Sequence, residues 1–159
     1  MNGIIVLLVV ILALFAGAFL SKRRFGLLGL GLTAGAILSP IWGENAGFVV
    51  SSMGIVPEGP LVNAIALSAI ILVPAILFMF HGYTYKHMVG RIIGSLLFTV
   101  LATAFLIVPI GLAMTLSGPI GNAYQWIVSY RELIISVGVI FAVVDVLIAK
   151  PVHESKKKH

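Results

Sequence analysis

A chain of 159 residues that is 60% hydrophobic, 9% charged and +5 in net charge has too few ionisable groups to cover a water-soluble surface; soluble domains carry roughly 25% charged residues. Mean hydropathy is +1.18, which makes a bilayer the solvent this composition asks for. There is no cysteine, so disulfides and thiolate metal sites are excluded.

A hydrocarbon core of ~30 Å takes ~20 apolar helical residues at ~1.5 Å each. The first run, residues 3–20, is uncharged. Cations follow it rather than precede it, which is the reverse of a cleavable signal peptide, so a retained helix is expected. The second run, 25–42, is glycine-rich, with Gly26, Gly29, Gly31 and Gly35. The third, 61–80, contains Pro74; the fourth, 92–116, contains Pro109; the fifth, 133–149, carries Asp145. All five are apolar on every side, which excludes the alternation of a barrel strand. The expected fold is an all-α integral membrane domain over residues 1–149 with five transmembrane helices, followed by a basic cytoplasmic tail, 150–159.

Lys and Arg concentrate in cytoplasmic loops. The odd-numbered connections hold Lys22, Arg23 and Arg24, then Lys86 and Arg91, then Lys150, Lys156, Lys157 and Lys158. The other connections hold the remaining cation, Arg131, and three of the five acids, Glu44, Glu58 and Glu132. This asymmetry predicts an outer N-terminus and an inner C-terminus. "SKRRFG" (21–26) is then a tight cytoplasmic turn joining the first two helices.

Two outer connections, 43–60 and 117–132, are apolar yet broken by Gly and Pro. They are expected either to lie in the interface or to re-enter the bilayer around a cavity. Their starts align, "LSPIWGENAGFVVS" (38–51) with "LSGPIGNAYQWIVS" (116–129), which leaves open an ancient duplication of a two-helix unit as well as chance similarity.

Few residues carry candidate chemistry. Asp145 is the only acid well inside an apolar run, five residues before Lys150. It either pairs with a cytoplasmic cation such as Arg91 or serves a proton or cation route. Gly31 with Gly35, and Gly90 with Gly94, are G-x-x-x-G pairs suited to close helix packing. Pro74 and Pro109 kink their helices, and a gating hinge is the functional alternative. Lys22, Arg23, Arg24, Lys86 and Arg91 set topology and meet lipid phosphates. His81 and His87 are six apart, which is not the spacing of two metal ligands on one helical face. No metal or other cofactor is expected, and no nucleophile with its base can be assembled. The basic patches lie beside membrane spans, so lipid rather than nucleic acid is the expected partner.

The short first helix, the abrupt basic turn "SKRRFG" and the second helix "LLGLGLTAGAIL" resemble the colicin V production protein family of small bacterial inner-membrane proteins. "GRIIGSLLFTVL", which opens the fourth run, is similar too. The chain departs from the pattern in its fifth apolar run and in lacking an acid before the fourth. The resemblance implies a multi-pass protein of the bacterial cytoplasmic membrane with no catalytic residues to carry over. Two functional expectations follow. One is a non-enzymatic accessory or assembly component, packing against a membrane-protein partner or its own copies. The other is a small solute, ion or proton transporter or channel built around Asp145.

Overall fold

A computed structural model describes residues 3–52, 59–113 and 119–148. They form five helices: α1 (Gly3–Ser21), α2 (Phe25–Ser52), α3 (Pro60–Phe80), α4 (Met88–Ala113) and α5 (Pro119–Ile148). No strand of a sheet occurs among the described residues; an isolated antiparallel bridge joins Arg23 to Thr84. The fold is all-helical. By length and composition, α3, α4 and the Phe25–Gly43 part of α2 can each cross a membrane, and α1 contributes a shorter apolar stretch, Ile5–Ser21.

Helix α2 makes its most extensive contact with α3, and α4 touches each of the other four helices. The core gathers Phe25, Leu28 and Leu32 of α2, Ile71 and Ala75 of α3, Phe98, Leu101 and Phe105 of α4 and Ala142 of α5. Large apolar side chains also cover the outside: Leu12, Ile41, Leu77, Ile93, Leu133 and Leu147 are all exposed. In water such a surface would far exceed the few hundred Å² of apolar patch a soluble monomer carries. Against lipid it costs nothing.

The polar groups inside obey the same solvent. Ser95, Thr99 and Thr103 of α4 donate to the carbonyls of Arg91, Ser95 and Thr99, each at 2.7 Å. A hydroxyl bonded back to its own helix needs no water, which lets Ser95 and Thr99 be buried.

Glycines set the closest approach, where α2 crosses α3. A Cβ built on Gly31 would lie 2.8 Å from the Ala75 Cα. One on Gly35 would overlap the Ile71 carbonyl oxygen and lie 2.7 Å from that of Ile70. The Ile70 carbonyl is the one that Pro74, lacking an N–H, leaves without its helical donor. The first G-x-x-x-G pair therefore faces α3 of the same chain, at the proline of that helix. Pro109 is buried within α4.

Two boundaries differ from the sequence expectation. Where they are described, the two segments 43–60 and 117–132 are not separate pieces. Residues 43–52 continue α2 beyond Trp42, and residues 119–132 form the first turns of α5. Apolarity marks where a helix meets lipid, whereas backbone hydrogen bonding decides where it ends. Pro40, Gly43 and Gly47 weaken α2 without stopping it. At the second site Pro119 occupies the first helical position, where a missing N–H costs nothing, so a new helix starts there. The aligned segments thus close one helix and open another, which argues against a duplicated two-helix unit. Residues 53–58, 114–118 and the tail from 149 lie outside the described residues.

Candidate functional site

The basic ends of the helices converge on two connections, 22–24 and 81–87, which bind each other. The Arg24 amide donates to the Tyr83 carbonyl at 3.1 Å, and the Tyr85 amide to the Lys22 carbonyl at 3.0 Å. Lys22 takes a left-handed conformation, φ 57°, to end α1 and turn its carbonyl toward Tyr85. Gly82, at φ 112°, makes the equivalent reversal after α3 and lies against Leu27, where a Cβ would collide.

The three cations of "SKRRFG" do three different things. Lys22 is exposed. Arg23 turns onto the end of α3: its Nε donates to the Met79 carbonyl at 3.0 Å, Nη2 to Phe80 at 2.7 Å and Nη1 to Gly82. Those of Met79 and Phe80 are carbonyls a helix leaves unpaired at its C-terminus, where positive charge is favoured; that of Gly82 lies just beyond it. Arg24 reaches α5 and forms an ion pair with Asp145, Nη2 to Oδ1 at 2.8 Å, with the two side chains 20% and 17% exposed.

Asp145 is fully engaged. Its second oxygen, Oδ2, accepts from the Gly26 amide at 2.8 Å and from the Tyr85 hydroxyl at 3.4 Å. The Tyr85 oxygen in turn accepts from the Phe25 amide at 3.2 Å. Phe25 and Gly26 open α2, so their N–H groups are orphan donors of a helix N-terminus. They are capped from outside the helix, one by Tyr85 and one by Asp145. A carboxylate there also meets the positive end of the helix dipole. Burial raises the Tyr85 hydroxyl above its ordinary pKa of 10.0. It is therefore protonated near neutrality and can donate to Asp145.

Small residues make room for this clasp. A Cβ on Gly26 would come within 2.5 Å of the Ala142 carbonyl oxygen, and one on Gly29 within 2.9 Å of the Ala142 Cβ. On α4, a Cβ on Gly90 or Gly94 would meet the Tyr85 ring, at 2.9 Å and 2.5 Å. The second G-x-x-x-G pair is thus a seat for a tyrosine from the preceding connection rather than a contact for another helix.

Arg91 does not pair with Asp145. It lies on α4 facing α1, donates from Nη2 to the Phe19 carbonyl at 2.8 Å, and sits 4.3 Å over the Phe19 ring. The Nε groups of Arg24 and Arg91 are buried without an acceptor among the described residues. Lys86, His81 and His87 are exposed. Among the described residues no three His, Cys, Asp or Glu side chains gather as a metal site. Pro74 lines an apolar groove of about 480 Å³ between α2 and α3, with Leu38, Trp42 and Val73.

Sequence reasoning singled out Asp145 and its pairing with a cation of the basic connections; the cation is Arg24 and not the example named, Arg91. It missed Tyr85 and Gly26 as partners. The available signal was the Gly90–Gly94 pair beside an aromatic-rich connection, which marks a slot as readily as a helix contact. No family model, curated protein or solved structure matches this chain.

Proposed function

We propose that the chain is a non-enzymatic, multi-pass protein of the bacterial cytoplasmic membrane that serves as an accessory or assembly component. In this reading α1 to α5 all cross the bilayer, with the N-terminus outside and the clasped, basic end in the cytoplasm. The observation that carries it is the engagement of Asp145. A proton- or cation-carrying carboxylate has to exchange its ligand; this one is held by a guanidinium, a backbone amide and a tyrosine at once. Those bonds join α2, α5 and the 81–87 connection, so they brace the bundle. The resemblance of "SKRRFG" and "LLGLGLTAGAIL" to colicin V production proteins supports the same reading.

Proteoliposomes test it. Purified protein should give proton and monovalent-cation fluxes no higher than protein-free vesicles. A flux present in the native chain and abolished by Asp145→Asn would replace this reading with a transporter.

A further inference from the structure

The opposite half of α5 carries polar groups of another kind. Asn122, Gln125, Ser129, Glu132 and Ser136 are all exposed. At about 100° per residue they fall within about 80° of arc, one narrow stripe along the helix. Beside it runs an apolar face of Trp126, Tyr130, Leu133 and Val137, also exposed, with the Trp126 and Tyr130 rings 4.9 Å apart. Arg131 is on the other side of the helix, donating from Nε to the Ala104 carbonyl of α4 at 3.2 Å.

On the reading that α5 also crosses the bilayer, depth makes this stripe unusual. Glu132 precedes Asp145 by 13 residues, about 20 Å along the axis. If Asp145 marks the inner boundary, Glu132 and Ser136 lie within a hydrocarbon layer of ~30 Å. A carboxylate at such depth is expensive and is normally turned to a partner group. Among the described residues Glu132 has none.

The stripe is rich in acceptors. Ser129 has given its hydrogen to the Gln125 carbonyl at 2.8 Å and Ser136 to that of Glu132 at 2.7 Å, so both present lone pairs outward. Glu132 presents only acceptors when ionised. Asn122 and Gln125 bring amide donors as well as acceptors, so the mismatch is local to Glu132: a second copy in the same orientation would set carboxylate against carboxylate there. At that level the stripe is not complementary to itself. It is complementary to a helix that brings donors.

We propose that this stripe of α5 is the docking face for a transmembrane helix of another protein, one carrying a cationic or amide side chain at the level of Glu132. This rests on the reading of the chain as a membrane assembly component and names the surface through which it would assemble.

The probes are leucine-rich transmembrane peptides with Arg, Asn, Asp or Leu at the centre, each bearing a fluorescence acceptor. The full-length protein is reconstituted in vesicles with a donor dye on His87→Cys, at the far end from the stripe. Energy transfer should report association of the Arg and Asn peptides about tenfold tighter than the Leu peptide, the ratio that a single interhelical hydrogen bond supports. Glu132→Leu should reduce the Arg peptide to the level of the Leu peptide. Because Glu132 is exposed and has no partner among the described residues, that variant should fold normally, and elution in detergent unchanged from the native chain checks this. Equal association of all four peptides, or preference for Asp, overturns the proposal. So does disulfide-linked dimer formation by Ser136→Cys, which would make a second copy the occupant. So does labelling of Ser136→Cys by a membrane-impermeant maleimide, which would place the stripe in water. Alkaline carbonate extraction of the native chain from membranes distinguishes the underlying reading. Release of the protein would defeat membrane integration itself, whereas retention with no peptide selectivity would defeat only the docking face.

Discussion

The two ends of α5 treat their polar residues in opposite ways. Near its C-terminus Asp145 is bound by Arg24, the Gly26 amide and Tyr85, and no oxygen is left over. In its N-terminal half Glu132 and Gln125 are exposed, and among the described residues their side chains make no bond. Both ends are helix of the same element, so secondary structure does not account for the contrast. At the C-terminal end two connections fold together and supply partners. At the other end, where α2 and α5 run on past the apolar stretches, none of the described residues covers the polar side. One end holds the bundle closed; the other leaves its polar side exposed.

That comparison can be attacked first at the clasp. Gly26→Ala should have the largest effect, because its Cβ would press on the Ala142 carbonyl and the backbone of α5 cannot yield cheaply. A loss of about 3 kcal/mol is expected from overpacking against backbone, measured by SDS-induced unfolding in mixed micelles. A loss below about 0.5 kcal/mol would mean that α2 and α5 are not in this contact.

The ion pair comes next. Arg24→Ala and Asp145→Ala should each cost about 2 kcal/mol, as hydrogen bonds to charged groups do, discounted for partial exposure. A double-mutant cycle should return a coupling of about 1 kcal/mol. Additive losses would show that the two side chains do not meet.

Tyr85→Phe is smaller, about 1 kcal/mol, because it removes one acceptor from the Phe25 amide and one donor to Asp145. It should also alter the alkaline limb of stability. The pKa of Tyr85 is raised on folding, so its contribution is complete below the unfolded value of about 10 and is lost as pH rises through the higher folded value. The Phe variant should lack that component of the decline, which unfolding measured across pH 9 to about 12 would resolve.

The helical class was legible because periodicity was unnecessary: runs apolar on every side, without cysteine and with clustered cations, leave few alternatives. Helix ends were less legible. Polar residues after Trp42 mark the end of the second apolar run, yet α2 continues through Glu44 and Asn45 to Ser52, since intrahelical hydrogen bonds are indifferent to polarity. Of the site, Asp145 stood out by its isolation among apolar neighbours. Its partners did not, because Arg24 is 121 residues away and Tyr85 is 60, and no local pattern encodes such a meeting. The stripe containing Glu132 escaped notice for a different reason. All of it but Ser136 lies in the connection 117–132, and a stripe is visible only once that segment is known to be helical.

The most direct test of the contrast sets two near-isosteric changes side by side in the same helix. Asp145→Asn and Glu132→Gln each remove one negative charge and little else, and their unfolding free energies can be compared with the native chain in one micelle composition. Asp145→Asn should lose about 1.5 kcal/mol, the lower range for a charged hydrogen bond, while Glu132→Gln should stay within about 0.5 kcal/mol. Equal losses, or the larger loss at Glu132, would contradict a bundle closed at one end of α5 and open at the other.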